Sequence, residues 1–561
     1  MSTQSKLTRF NENVMSKYQI YKSILMALPY DTTSNTGVLL PLFHQVCETG
    51  FADGKNPTEI VDEFFLRYQD NPTDQEKINL LFRFIQYIER QVVLFDAIED
   101  AAFPIINNMD GIGTLRGSKE NAFSSGKKEE LRQYLKEFKV RVVLTAHPTQ
   151  FYPGNVLGII TDLDNAIQRD DLIMIKKLLT QLGKTPFFKK VKPTPYDEAV
   201  SLIWYLEHVF YDSVSKIYNY VQQNIYDGDV LDNEIIDLGF WPGGDRDGNP
   251  FVTTEITLKV AERLRQTILR KYYRDVRKLK RRLTFKGVEE RLNQVENRLY
   301  KHVTKSYKVV NFSQKILLKN LREIREILIR DHKSLFLEEL DDLIHKVSIF
   351  GFHFATLDIR QDSRVHHAAF TNMVKELLDS GDTTFPVNYL ELSAKEQIEV
   401  LSKLKGDIDI TIFSDEMLVK TLGSIQAIKE IQYRNGKRGA NRYIISNNQT
   451  ALNVMQTFAM LNLSGFGEKL PVDVIPLFET VDDLQNSKEV MRTLYSNKAY
   501  RAHVKYRKDK QTIMLGFSDG TKDGGYLKAN VSIYKTKFTH IYSSAFQKLY
   551  VSQNSKSYTK S

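Results

Sequence analysis

A single cysteine, Cys47, is present in 561 residues, so no intrachain disulfide can form. No run of about 18 apolar residues occurs, which excludes a transmembrane helix. The N-terminal stretch MSTQSKLTRFNENVMSKYQ is polar and has no apolar signal region. These absences lead to the expectation of a soluble, cytoplasmic protein. Acid is missing from one place. After Asp523 there is no Asp or Glu, whereas Lys528, Lys535, Lys537, Lys548, Lys556 and Lys560 are present. Setting those six aside leaves +3 of a net +9. The basic balance therefore belongs to the tail and does not describe a nucleic-acid surface.

What is there is an ordinary globular composition, 42% hydrophobic and 26% charged, enough for a buried core. The length is too great for one ordinary core, so several domains or one large barrel with insertions are expected.

Residues 1 to about 135 read as helical. Asn56-Pro57 and Asn71-Pro72 both have the form of helix starts, with Asn as cap and Pro at the first helical position. After the second, Ile78, Leu81, Ile85, Ile88, Val92 and Phe95 recur at steps of three and four, which predicts a helix face in the core. Residues 155–230 return to helical patterning, with Trp204, Leu206, Val209 and Phe210 as core positions. Residues 255–345 read as long amphipathic helix. Its most basic part, Lys271 to Lys286, could be a nucleic-acid helix. A solvated face is preferred, because acid resumes at Glu289 and Glu290.

Six short apolar runs break this helical text. Each ends in polar, chemically capable residues. Val142-Val143-Leu144 ends in Thr145, Ala146, His147 and Pro148. The residue before proline is pushed out of the helical region, so His147 sits on an extended turn. Alone, such a histidine is more often a hydrogen-bonded structural residue than a catalyst. Ile235 to Phe240 ends in Trp241-Pro242-Gly243-Gly244-Asp245-Arg246-Asp247-Gly248-Asn249-Pro250, too rich in glycine and proline for a helix. Its closely spaced glycines let backbone N–H groups approach an anion. Phe352 to Leu357 leads to Asp358 and Arg360. Tyr443 to Ser446 leads to Asn447 and Asn448. Val474 to Phe478 leads to Glu479. Thr512 to Phe517 leads to Asp519 and Lys522.

Short buried strands separated by helices are the pattern of parallel strands with crossover connections. In a (β/α)8 barrel the strand ends converge on one face, where chemistry sits. His147, Asp245, Arg246, Arg360, Glu479, Asp519 and Lys522 would then share one mouth. Glu479 and Asp519 are hard oxygen ligands suited to Mg2+ or Mn2+. Arg360, Arg246 and Lys522 suit a phosphate or carboxylate. His147 can exchange a proton near neutral pH. The set describes a small, acidic, phosphorylated substrate.

The segments TAHPTQ at 145–150, GGDRDGNPFVT at 243–253, LDIRQDS at 357–363, PLFETVDDL at 476–484 and GFSDGTKDGGYLKAN at 516–530 resemble, in order, the signature segments of phosphoenolpyruvate carboxylase. The resemblance runs from near the N-terminus to about Lys537. It implies a mainly helical protein with an α/β core, an incomplete TIM-type (β/α)8 barrel of six strands, and large helical additions. It implies a helical region at 1–135 and a partial barrel at 136–537 with insertions near 155–230, 255–345 and 365–440. It also implies anaplerotic carboxylation of phosphoenolpyruvate by bicarbonate to oxaloacetate and phosphate, with Mg2+ or Mn2+, by a homotetramer when complete. By motif, Glu479 and Asp519 correspond to metal ligands, His147 to the catalytic histidine, Arg360 to a substrate-contacting and catalytic arginine, and Lys522 to an active-site lysine. Asp245 and Arg246 are placed with the substrate.

Three departures stand against the resemblance. Val531 stands where the family usually has Trp. Phe538 to Ser561 reads as a polar, low-complexity tail outside the family. No segment of the type FxGRGGxxxRGGG, which follows the family's seventh strand, occurs in these residues. The sequence therefore predicts a C-terminally truncated member whose activity by itself is poor. The alternative is a non-catalytic remnant, truncated or frameshifted, that at most binds metal or partner subunits.

Overall fold

The computed structural model describes residues 5–27, 36–111, 113–145, 154–187, 193–229, 231, 233–304, 312–541 and 549–554. It is mostly helical with parallel sheets. Two compact units are present, one of residues 1–131 with 148–192, the other of 132–147 with 193–561. The segment 155–230, expected as one insertion, is divided between them.

In the first unit the helix Pro57–Tyr68 starts as the sequence predicts. Asn56 caps it and exchanges hydrogen bonds with Glu59, satisfying donors a helix start leaves open. The second start differs. Thr73, not Asn71, caps the helix Asp74–Ile106, in a reciprocal arrangement with Glu76. Asn71 instead takes a left-handed turn conformation, which Asn tolerates. The apolar face of that helix also differs from expectation. Ile78, Ile85, Ile88 and Val92 are exposed, and the core is built from Leu80, Phe84, Tyr87, Leu94 and Ile98. Phe84 packs with Val46, Ile60 and Phe64. Leu94 and Ile98 pack with Val14, Val156, Leu163 and Leu179.

In the second unit the strands are β1 (Val140–Leu144), β2 (Ile236–Phe240), β3 (Thr356–Leu357), β4 (Ile359–Asp362), β5 (Arg442–Ser446), β6 (Asp473–Phe478), β7 (Gln511–Gly516) and β8 (Leu549–Asn554). They form two parallel sheets, β1-β2-β3 and β4-β5-β6-β7-β8. The single third strand expected at Phe352 to Leu357 is two segments, and it lies further along the chain. Phe354 has a positive φ and belongs to a turn. The chain then changes partner at Asp358, from β2 to β5. Backbone bonds still join the two sheets. Asp358 donates to Phe240 O at 3.0 Å, Arg360 to Gly244 O at 3.1 Å, and Arg246 to Arg360 O at 2.9 Å. β8, in the stretch expected as a polar tail, pairs with β7 from Gln511–Leu549 to Gly516–Asn554. The helix before it, Ser518–Ile541, runs across the expected boundary at 537.

Side chains of both sheets meet in one cluster of Val143, Trp241, Ile444, Ile475, Leu477 and Met514. Toward the strand starts the buried face is ionic. Arg141 Nη1 donates to Asp237 at 2.5 Å, and its Nη2 to the fully buried Asp358 at 2.6 Å. Arg438 binds Asp237 at 3.0 Å. Burial alone would raise Asp237, but Arg141 and Arg438 hold it well below the ordinary carboxylate range.

The 255–345 region is four helices, Thr254–Lys280, Glu289–Thr304, Gln314–Asp331 and Leu337–Phe350, in place of one long helix. Its basic part is paired with acid: Lys280 with Glu296, and Arg282 with Glu339. Leu206 is buried as expected, whereas Trp204 and Val209 are exposed. The Trp204 ring stacks on His208 at 4.4 Å.

Candidate active site

The loop after β2 turns sharply and runs back beside β4. Gly244 and Asp245 both donate backbone N–H groups to Trp241 O, at 2.8 and 2.9 Å. A Cβ on Gly244 would lie 2.2 Å from Asp358 O, so only glycine allows the loop to meet the strand. Asp245 and Arg360 form the resulting bridge.

Arg360 stands at the centre. Its Nη2 donates to Asp247 Oδ2 at 2.6 Å and lies 3.5 Å from Glu479 Oε1. Its Nη1 is 3.7 Å from Asp245 Oδ2. The guanidinium sits over the Trp241 ring at 5.2 Å, and the indole N–H is anchored on Asp358 at 3.1 Å. Burial opposes the charge, but Asp245, Asp247 and Glu479 together raise the Arg360 pKa. Nε is buried and has no hydrogen-bond partner among the described residues.

Glu479 follows β6. Its Oε2 accepts the Asn447 N–H at 2.8 Å. Asn447 follows β5 in a left-handed conformation, and that conformation turns its N–H to the carboxylate. Burial raises the Glu479 pKa. Burial outweighs the lowering by the Asn447 bond and Arg360, and repulsion from Asp247 and Asp519 adds a smaller share. Asp519 lies in the first turn of the helix after β7, with Lys522 Nζ at 3.3 Å. Lys522 is largely exposed.

The structure thus brings together Asp245, Arg360 and Glu479, with Asp519 close enough to act on Glu479. Arg246 goes elsewhere. Its Nη1 donates to Lys420 O at 2.9 Å. It lies near Tyr443 and His366, on the outer, helix-covered side of β5. Burial lowers the Arg246 pKa. His147 lies outside the described residues. Sequence reasoning passed over two contributors. Asp247 makes the shortest contact to Arg360, and the paired acids of Asp245-Arg246-Asp247 were the available signal. Asn447 acts through its backbone, and its side chain gave no sign of that.

The acids and Arg360 can grip an anion on one side and a hard cation on the other. Among the described residues no three His, Cys, Asp or Glu are grouped to hold a metal. The two candidate ligands on adjacent strand ends are Glu479 and Asp519.

A family model for phosphoenolpyruvate carboxylase matches residues 113–315 and 282–545 of the chain. Phosphoenolpyruvate carboxylase of Nitrosomonas eutropha is 27% identical over 479 residues, covering 73% of this chain and 50% of the relative. That of Nitrosomonas europaea is 28% identical over 480 residues, with the same coverage. That of Prochlorococcus marinus is 25% identical over 497 residues, 73% of this chain and 49% of the relative. The chain spans about half the length of the curated relatives it matches.

Proposed function

Because the chain belongs to the phosphoenolpyruvate carboxylase family, we propose that its strand ends form the family's site, where phosphoenolpyruvate and bicarbonate give oxaloacetate and phosphate. The observation that carries this reading is the cluster of Arg360, Asp247 and Glu479 at neighbouring strand ends, inside the matched range. In the same reading the strands belong to a (β/α)8 barrel, with a helical region before it and a homotetrameric assembly.

A divalent cation fits the donors. Glu479 and Asp519 offer hard oxygens, and their repulsion adds to the raised Glu479 pKa. Mg2+ is commonly held by one or two carboxylates with substrate and water oxygens. When bound it would act as a Lewis acid and spread negative charge.

The reaction begins when a bicarbonate oxygen attacks phosphorus and the bond to the enol oxygen breaks. Carboxyphosphate and the enolate of pyruvate result. Carboxyphosphate divides into CO2 and phosphate, and the enolate carbon takes up the CO2. Arg360 would orient phosphoryl or carboxyl oxygens, with its unpartnered Nε as a spare donor. The Trp241 ring lies against Arg360 and belongs to a buried cluster with Leu477 and Met514, which would back the site with apolar surface. That surface keeps water from the enolate, where a stray proton would give pyruvate. Lys522, exposed and only loosely held, would move to the developing phosphate charge. His147 would accept the proton released as carboxyphosphate breaks.

The test has two arms. Assay with phosphoenolpyruvate, bicarbonate and Mg2+, coupled to oxaloacetate reduction, is expected to give oxaloacetate. Electron paramagnetic resonance is expected to show saturable Mn2+ binding that Glu479→Gln removes. Absence of Mn2+ binding by the unaltered chain would overturn the site assignment.

A further inference from the structure

Away from the mouth, at the end where the strands begin, the second unit has a cavity of about 540 Å³. Lys139 on its wall directly precedes β1, Glu234 lies just before β2, and Ser348 and Ile349 end the helix Leu337–Phe350. The volume is in the range of small-molecule sites. Three cations, Lys139, Arg322 and Arg325, and three carboxylates, Glu234, Glu326 and Asp341, line it. A wall balanced in this way suits a ligand carrying both signs.

Most of these groups are committed. Arg325 forks onto Asp341 at 2.7 and 3.2 Å. Lys139 lies 3.6 Å from Glu234, which also holds Arg438 at 2.8 Å. Arg322 and Glu326 differ. Both are exposed toward solvent, one helical turn apart on Gln314–Asp331. Neither has a hydrogen bond or ion pair among the described residues. Arg322 and Glu326 therefore stand side by side without a hydrogen bond or ion pair, Glu326 acting on neighbouring Arg325 only through its charge.

His345 adds an acceptor. Asn219 Nδ2 donates to Asp342 Oδ1 at 2.7 Å, which fixes the amide so that its oxygen faces His345 Nδ1 at 2.6 Å. Nδ1 must then carry the proton. Nε2 is left with its lone pair on a ring whose pKa burial lowers, and it has no hydrogen-bond partner among the described residues. A lone pair in a wall calls for a donor such as an ammonium group. A metal ion is a poor fit, since no three ligating side chains are grouped here. Leu231, Ile344 and Ile349 supply the apolar remainder.

We propose that this cavity binds a small aliphatic zwitterion, its carboxylate on Arg322 and its ammonium group shared by Glu326 and His345 Nε2. The site is separate from the strand-end cluster and does not depend on the carboxylase reading.

L-leucine is the probe, titrated calorimetrically into the full chain. Isoamylamine and 4-methylpentanoate, which each keep one charge, are the comparison compounds. Leucine is expected to bind saturably with a dissociation constant of about 1 mM, and each single-charge compound about tenfold more weakly. Arg322→Ala and Glu326→Gln, both on an exposed helix face, are each expected to weaken leucine about tenfold. The proposal is overturned by the absence of saturable heat up to about 10 mM leucine. Equal affinity for either single-charge compound, or unchanged leucine affinity in both variants, overturns it as well.

Discussion

At the scale of single residues, the strand-end cluster and the ionic layer beneath it respond differently to charge removal. Glu479 is held above its ordinary pKa chiefly by burial. The folded chain therefore binds a proton at Glu479 more readily than the unfolded chain. Its contribution to stability is present at low pH and is lost as pH rises from the ordinary value of 4.5 through the raised one. Glu479→Gln is expected to flatten that fall, seen as a smaller drop in urea midpoint across the window than the unaltered chain shows. An equal drop in both proteins would refute the assignment. Asp358 is the opposite case, since it binds Arg141 at 2.6 Å and the Trp241 indole at 3.1 Å while fully buried. Asp358→Ala removes one of the two acids on Arg141 and leaves its Nη2 and the Trp241 indole N–H without their acceptor in a low-dielectric site, with Asp237 the remaining counter-charge. A loss of about 3–5 kcal/mol is expected from urea unfolding. For contrast, Lys405→Ala breaks an exposed pair with Glu468 and is expected to cost less than about 1 kcal/mol.

At the scale of elements, β5, β6 and β7 were legible because a strand covered on both faces reads as an unbroken apolar run. Tyr443 to Ser446, Val474 to Phe478 and Thr512 to Phe517 each fall within a residue or so of the observed strand. The third strand was not legible in the same way. Its break at Asp358 comes from a change of hydrogen-bonding partner across two sheets, which no local pattern encodes. The candidate site shows the same division. Arg360 and Glu479 were readable from their place after a strand. Asp247 and the Asn447 N–H depend on how the β2 loop and the β5 turn fold back. Arg246 shares its segment with Asp245 but points to Lys420 O, in a turn that the Asp247 N–H to Asp245 bond closes. The helix Asp74–Ile106 gives a direct test of periodicity against packing. Its Ile85 is 48% exposed, whereas Phe84 is 2% exposed and touches Phe64 and Phe43. Phe84→Ala is expected to cost about 3–5 kcal/mol, and Ile85→Ala no more than about 0.5 kcal/mol. Denaturation midpoints of the two variants decide between the faces. A larger loss at Ile85 would restore the face that the sequence period favours.

At the scale of the whole molecule, the row of strands has two ends, and both carry exposed apolar surface. β1 leaves Val140 and Val142 open at one end. At the other, the helix Ser518–Ile541 joins β7 to β8 and exposes Leu527, Val531 and Tyr534. Those three residues are four and three apart, so they form one stripe on the helix. Leu527 is 76% and Val531 42% exposed. Contiguous apolar surface of this kind promotes association between copies, and the β1 edge, without a strand partner among the described residues, adds a template for it. Charge on the stripe should remove the attraction without touching the core, since neither side chain is buried. The double variant Leu527→Lys with Val531→Lys is therefore expected to keep its denaturation midpoint, to within about 0.5 kcal/mol. It is expected to raise the protein concentration at which static light scattering departs from that of dispersed chains. Scattering that begins at the same concentration in both proteins would mean that the stripe does not drive association. A lowered midpoint would mean that the stripe is packed in solution and not open.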